Sequence, residues 1–277
     1  MPRKVLIDLF AGTGGFSHGW IQGGGEIAVA VDCWEAALEN HRFNHPEVPT
    51  LNLELGGDLD TTTQQLRTYV DGKFGDDYHL HLHGSPPCQA LSNISNHNPE
   101  NGMRLVRWFL ALVDHMKPDS WSMENVIPLA KRLDKTETPY VLVNSNDYGV
   151  PQARNRVMAG QGWTLDSTCY THGLTFLDAF PHFRDIDDLY IISRRRCNSA
   201  PQTYQPDAPS HTVSQVTHRM MGKGVSRYLT VQETAVLQGW PDMRFKPGLR
   251  LSRELRPMVA NMVTPPVAKA LCEGIIC

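Results

Sequence analysis

An apolar run feeding straight into a glycine cluster fixes most of what this chain can fold into. Lys4–Phe10 (KVLIDLF) reads as a buried strand, Ala11-Gly12-Thr13-Gly14-Gly15 as a turn, and Phe16–Gly23 as a helix. Strand, glycine-rich turn and helix form the opening of a nucleotide-binding βαβ unit. A second apolar run, Glu26–Val31, ends in Asp32. An acidic side chain at the tip of a second strand is placed to hold a ribose hydroxyl pair.

The loop departs from the dinucleotide pattern, because Ser17 stands where a third glycine is wanted. A pyrophosphate is therefore less favoured than a phosphate-free nucleoside such as S-adenosylmethionine, and a plain NAD dehydrogenase is disfavoured.

Further along, Ala36–Phe43 and Leu66–Phe74 read as helices, and Tyr78–His83 (YHLHLH) as a strand of period two. That strand runs into Gly84-Ser85-Pro86-Pro87-Cys88-Gln89. Two prolines stiffen the exit and remove two donors, so one thiol sits just past the carboxyl end of a strand, where open α/β folds place their chemistry. Arg104–Met116 has helical periodicity and stops at Lys117-Pro118, Trp121–Met123 reads as a strand delivering Glu124, and Tyr140–Asn144 and Val157–Ala159 as two more strands. From about Gly160 the alternation fades and Pro, Gly and Ser become frequent, which suggests a second, smaller lobe. Thr230–Gln238 reads as a helix opened by a capping box, and Pro265–Gly274 as the last helix.

With 41% hydrophobic and 20% charged residues, the composition is that of a globular domain with a sizeable core. No apolar run approaches a membrane span, and Asp8 interrupts the only apolar stretch that could resemble a leader. The six cysteines form no CxxC pair and no disulfide-like spacing, so a reducing, intracellular compartment is expected and metal binding is not. The net charge of −3 hides an asymmetry: Arg194–Arg256 carries 11 Lys/Arg against 4 Asp/Glu, leaving 15 against 25 elsewhere. A basic lobe on an acidic body suits a nucleic-acid cleft, although a solvated basic face would look the same.

Cys88 needs access, a route to thiolate and an electrophile to act as a nucleophile; otherwise it is a half-buried structural cysteine. Glu124, at another strand end, could face the same crevice. An ionised carboxylate beside a thiol hinders thiolate formation, so its useful role would be to share a proton with a ring nitrogen of a bound base.

DLFAGTGGF (8–16), GSPPCQALS (84–92), ENV (124–126), DYGVPQARNR (147–156), LTVQETAVLQGWPD (229–242) and ANMVTPPVAKAL (260–271) resemble, in order, the motifs of the DNA cytosine-5 methyltransferase family, over nearly all of the chain except roughly residues 162–205. The resemblance implies a Rossmann-like α/β sheet of the class I S-adenosylmethionine-dependent methyltransferases with helices on both faces. It also implies a small, irregular target-recognition lobe, with residues 1–160 and 257–277 forming the catalytic body and 161–256 the lobe. The implied reaction is methylation of C5 of a flipped-out cytosine in double-stranded DNA, with Cys88 adding to C6 and Glu124 holding N3 and the exocyclic amine. Arg154 and Arg156 would contact the cytosine O2, the Cys88 region or DNA phosphate, unless they are a surface basic pair. The implied cofactor contacts are Phe10, Ala11, Gly12, Gly14, Gly15, Asp32, Cys33, Asp58, Leu59, Pro86, Asn261 and Val263. Trp34 is either an adenine stack or part of the core or rim. The implied DNA contacts are Ser85, Gln89, Ser92 and Arg194-Arg195-Arg196. A monomer is expected, with a recognition partner left open, acting in a restriction–modification or phage setting and nucleoid-associated if prokaryotic or viral.

The chain departs from the pattern in three places: Asp32 replaces the commoner Glu, Ala260 precedes Asn261 in place of Gly, and the segment between Val126 and Tyr140 is short. The recognition segment is small, which predicts short or relaxed readout. Two rivals share the motifs, a tRNA-methylating branch of the family and a non-catalytic homologue.

Overall fold

The computed structural model describes residues 2–75, 77–87, 99–193, 201–215 and 218–276. Cys88, Gln89, Ser92 and Arg194-Arg195-Arg196 lie outside the described residues.

The body is a seven-stranded sheet of β1 (Arg3–Leu9), β2 (Glu26–Asp32), β3 (Thr50–Asn52), β4 (Tyr78–Gly84), β5 (Ser120–Asn125), β6 (Tyr140–Asn144) and, after a two-residue β7 (Gln152–Ala153), β8 (Asn155–Gln161). Its strand order is β3-β2-β1-β4-β5-β8-β6. β3, β2, β1, β4 and β5 pair in parallel, whereas β8 runs antiparallel to both β5 and β6. The order reverses between β1 and β4, so their carboxyl ends splay and leave a crevice there.

Residues alternate faces along each strand. Val5, Ile7 and Leu9 of β1 and Leu80 and Leu82 of β4 face α4 (Pro99–Met116), through Val106, Phe109 and Leu112, and α3 (Leu59–Arg67), through Leu66. Leu6 faces the other way, towards α1 (Gly15–Gln22) and a last helix (Pro265–Glu273). Between them run α2 (Glu35–Asn44), α5 (Phe176–Ala179), α6 (Val231–Leu237) and α7 (Arg256–Asn261), which makes Pro265–Glu273 α8. The period-two run in β4 is not an inside–outside alternation, because both its leucine and its histidine faces are buried.

α1 and α8 approach closely because Gly15 and Gly19 present no side chain. A Cβ at Gly15 would lie 2.3 Å from the Val263 carbonyl, and one at Gly19 2.0 Å from that of Pro265. The expected helix over Leu66–Phe74 is displaced. Asp58 caps the segment by accepting from the Thr61 amide at 2.9 Å, so the helix begins at Leu59 and closes at Arg67, with turns beyond it. The shortened segment before β6 holds a 3₁₀ turn, Ile127–Lys131.

Beyond β8 the chain first returns to the body. Trp163 donates to the Trp121 carbonyl at 2.8 Å, and Leu165 and Tyr170 pack on the α1–α8 core. The following segment is more regular than expected. β9 (Tyr190–Ser193), β10 (Gln202–Tyr204), β12 (Arg219–Gly222) and β13 (Val225–Tyr228) form an antiparallel sheet, while β11 (Ser210–His211) pairs with β7. This sheet has its own core of Phe176, Phe180, Ile191, Tyr204 and Met220, which also takes in Leu237 of α6 and Ala260 of α7. The capping box of α6 is present, with Thr230 accepting from the Glu233 amide and Glu233 from that of Thr230. A π-helical turn, Leu251–Leu255, which the sequence did not suggest, runs directly into α7. No helix among the described residues is long and apolar enough to cross a membrane.

Candidate active site

The glycine turn after β1 winds through the left-handed region at Phe10 (φ 58°), Gly12 (φ 54°) and Gly14 (φ 92°). It is tied to the tip of β2, where the Gly12 amide donates to Asp32 Oδ2 and the Trp34 amide to Asp32 Oδ1, both at 2.8 Å. Burial pushes the Asp32 carboxyl upward, with the neighbouring amides opposing the shift. A carboxylate has about four acceptor sites, so Asp32 keeps capacity for a ligand.

These residues form one wall of a cavity of about 330 Å³ at the carboxyl ends of the strands. Ser85, Pro86 and Pro87 after β4 and Glu124 on β5 form the opposite wall, and Met258, Asn261, Met262 and Val263 close it. The Ser85 amide donates to the Leu9 carbonyl at 3.2 Å, and Asn125 donates to the Pro86 carbonyl at 3.1 Å. The stiff Pro-Pro exit is thus pinned to β1 on one side and β5 on the other. Arg156 Nε lies 2.9 Å from Glu124 Oε1, a close ion pair not aligned as a hydrogen bond.

The expected residues separate by position. Phe10, Ala11, Gly12, Asp32, Cys33, Ser85, Pro86, Glu124, Asn261 and Val263 line the cavity. Gly14 and Gly15 do not: a Cβ at Gly14 would press on the His41 ring at 2.5 Å, and Gly15 is held against Val263. Both serve packing beneath the loop. Asp58 and Leu59 also lie away from the lining, with Asp58 occupied in capping α3. Arg154 is buried and donates to the Met262 carbonyl at 3.2 Å, clamping the wall from behind, whereas Arg156 meets Glu124 directly. Trp34 stands on the cavity rim and packs against the core of Ala37, Leu255 and Met258.

Sequence reasoning missed several lining residues. Leu53, Glu54 and Leu55 follow a three-residue strand with no periodic signal, and Arg104 and Leu105 come from α4. Asp8, which opens the DLFAGTGGF motif, also lines the cavity; its carboxyl is buried, accepts from Ser17 Oγ at 2.6 Å and is pushed up to about 7, chiefly by burial. Gln152 stands in the DYGVPQARNR motif with no role assigned by sequence. It donates to the Leu237 carbonyl and to Gln238 Oε1 and accepts from the Val213 amide, all at 2.8 Å, tying β7 to α6 and to the chain after β11. A buried amide with three partners leaves no sequence signal beyond its place in the motif.

Residues 5–160, more than half of the chain, match the family model described as C-5 cytosine-specific DNA methylase. The chain belongs to this family. As a DNA (cytosine-5)-methyltransferase it is similar to type II methyltransferase M1.HphI of Haemophilus parahaemolyticus, with 24% identity over 332 aligned positions that span 98% of this chain and 86% of the relative. Type II methyltransferase M.XorII of Xanthomonas oryzae is 31% identical over 176 positions, where the match spans 57% of this methylase and 40% of its relative. In fold it resembles the crystal structure of a candidate DNA modification methyltransferase encoded within an E. coli prophage, with a TM-score of 0.67, 19% identity, and coverage of 98% of this chain and 97% of that one. The mixed sheet with helices on both faces is the Rossmann-like methyltransferase fold.

Proposed function

We propose that this methylase transfers the methyl group of S-adenosylmethionine to C5 of a cytosine flipped out of double-stranded DNA, through a transient bond between Cys88 and C6. The observation that carries this reading is that one crevice holds both the glycine loop with Asp32 and the Pro86-Pro87 exit with Glu124. A cofactor and a base bound there would share a single cavity.

The lining fits that cofactor. Asp32 and Glu54 line the space, Glu124 is paired with Arg156, and only Arg104 among the described lining residues is cationic, so no cationic cluster is present among them to hold a pyrophosphate. A Cβ at Gly12 would meet nothing within 4 Å, so the loop backbone is open to close approach. Asp32 is placed for ribose hydroxyls, with Phe10, Trp34 and Val263 as apolar walls. When bound, S-adenosylmethionine supplies an electrophilic methyl group.

Cytosine C5 is a poor nucleophile until a thiolate adds to C6 and makes the ring an enamine. Cys88 follows the pinned proline pair and supplies that thiolate. Glu124 holds N3 and the exocyclic amine, stabilising the charge that grows on the ring, and Arg156 holds Glu124 in place. Flipping the base out of the stack costs a few kcal/mol. Recognition falls to the β9–β13 sheet and the Arg194-Arg195-Arg196 run. Several cations of this region are already paired within the chain, Lys223 with Asp187, Arg227 with Glu233 and Lys246 with Glu39, so readout is expected to be short. A modification role in a restriction system fits the likeness to type II enzymes.

The test is incubation with cofactor and unmethylated genomic DNA, followed by bisulfite sequencing, with a matched tRNA substrate alongside. Cytosine conversion blocked at a recurring short motif is expected. Methylation of tRNA alone, or normal turnover by Cys88→Ala, would overturn the reading.

A further inference from the structure

One feature of the sheet runs from the cavity wall back through the buried body. β4 carries His79, His81 and His83 on the face towards α1, and β5 sets Ser120 beside His81 and Ser122 beside His83 in parallel register. Their side chains form one unbroken line. His79 Nε2 meets Ser120 Oγ at 2.7 Å, and Ser120 Oγ meets His81 Nδ1 at 2.7 Å. His81 Nε2 meets Ser122 Oγ, Ser122 Oγ meets His83 Nδ1, and His83 Nε2 meets Ser85 Oγ, each at 2.8 Å. Phe16 stacks on His83 with ring centroids 3.4 Å apart, and Trp20 on His81 at 4.9 Å. His81, His83 and Ser122 are wholly buried. One end of the line, Ser85, stands on the wall of the active-site cavity. The other, His79, lies near Asp119 and Lys4 at the far end of the strands.

The line has a restricted set of states. Burial holds His81 and His83 well below the ordinary imidazole value, and lowers His79 too, so each neutral ring has one N–H and one acceptor nitrogen. Each serine hydroxyl has a single hydrogen. If every hydroxyl both donates and accepts along the line, all three rings must share one tautomer, either all Nδ1–H or all Nε2–H. The two states differ by one proton moved from end to end. A strand buried on both faces is ordinarily Val, Ile and Leu, and a packing role alone calls for no continuous polar line. Among the described residues no group of His, Cys, Asp or Glu could hold a metal ion, and these rings are strung along a line rather than converging.

We propose that His79, Ser120, His81, Ser122, His83 and Ser85 form a proton relay that carries the C5 proton of cytosine out of the closed site. The inference rests on the methyl-transfer reading above. As the C5–H bond breaks, its electron pair re-forms the C5–C6 double bond and the Cys88 sulfur leaves C6. The released proton passes to Ser85 Oγ, directly or through one water, while the Ser85 hydroxyl proton passes to His83 Nε2. His83 gives its Nδ1 proton to Ser122, Ser122 gives its own to His81 Nε2, and the shift continues through Ser120 until the Nδ1 proton of His79 leaves to solvent. Between turnovers the reverse shift, with a solvent proton entering at His79 and one leaving Ser85 to water, restores the line.

The test breaks the line at two separate links, with Ser122→Ala and Ser120→Ala in the full-length protein. Tritium release from C5 of labelled DNA should slow at least about tenfold in both variants. Capture of DNA bearing 5-fluorocytosine, which has no C5 proton to lose, should keep the wild-type rate. In the wild-type protein, ¹⁵N shifts of the three imidazoles should report neutral rings in one shared tautomer. Equal slowing on both substrates, slowing on neither, or mixed tautomers would overturn the relay. A wild-type protein that captures no 5-fluorocytosine DNA would instead fail the methyl-transfer reading, and the relay with it.

Discussion

Asn125 donates to the Pro86 carbonyl along one wall of the crevice at 3.1 Å, one residue after Glu124. The same strand end therefore presents the carboxylate proposed to hold the base and fixes the Pro86-Pro87 exit that precedes Cys88. Asn125→Ala should lower stability by about 1–2 kcal/mol by orphaning a buried carbonyl. It should slow single-turnover methyl transfer about 10- to 100-fold by loosening the alignment of Cys88 with Glu124. Cofactor affinity by calorimetry should be nearly unchanged, and a matching loss there would place Asn125 in the cofactor wall instead.

Asp32 joins the glycine loop to the tip of β2 through two backbone amides. Asp32→Ala removes both acceptors together with the proposed ribose contact. S-adenosylmethionine should bind about 10- to 100-fold more weakly, as expected for lost hydrogen bonds to a charged group. Calorimetry measures this directly, and unchanged affinity would move the ribose site elsewhere.

Gln152 is wholly buried and holds three partners from α6 and the segment after β11. Gln152→Leu should cost about 2–4 kcal/mol, since the partners lose their bonds in a dry environment. Thermal melting gives the loss, and DNA affinity should fall with it because this amide ties the β9–β13 region to the body.

Acid should unfold this protein through its histidines. Seven of them, His18, His41, His45, His79, His81, His83 and His218, are lowered, each chiefly by burial. A histidine whose folded value is depressed binds more protons unfolded than folded, so its contribution is present above the unfolded value of about 6.5 and is lost as pH falls below it. Asp8 acts oppositely: its raised value, about 7, gives stability that is present at low pH and lost as pH rises towards 7. The Asp32 carboxyl, also raised by burial, acts in the same sense as Asp8; seven groups outweigh two, and the melting temperature should drop steeply between about pH 6.5 and 5. A flat profile across that window would mean that the rings are not held neutral.

Much of the body was legible because its signals are local and strong. β1, β2 and α4 are long apolar or periodic runs, and the α6 capping box is spelled out by Thr230 and Glu233. The helix expected at Leu66–Phe74 was misplaced because apolar spacing outweighed the cap: Leu66, Val70 and Phe74 are all buried, but the last two sit in turns that follow a helix started by Asp58. The antiparallel sheet of the second region was missed because its strands are three or four residues long, too short to show a period. Within the site, the strand-end positions of Asp32, Pro86 and Glu124 were readable from order alone. The packing duty of Gly14 and Gly15 was not, since it depends on His41 and Val263. The serines that complete the histidine line lie on a different strand, and only register brings them alongside.

The cavity wall of Met258 and Asn261–Val263 faces the turn of Phe10–Thr13 from nearly the opposite end of the chain. On a ribosome adding about 5–20 residues per second, the first wall emerges long before the second exists. Until α7 and the segment after it are made and docked, the nascent polypeptide has one wall of the cavity and no closed crevice. A chain truncated before Met258 should therefore lack one wall of the crevice and bind S-adenosylmethionine far more weakly than the 277-residue chain.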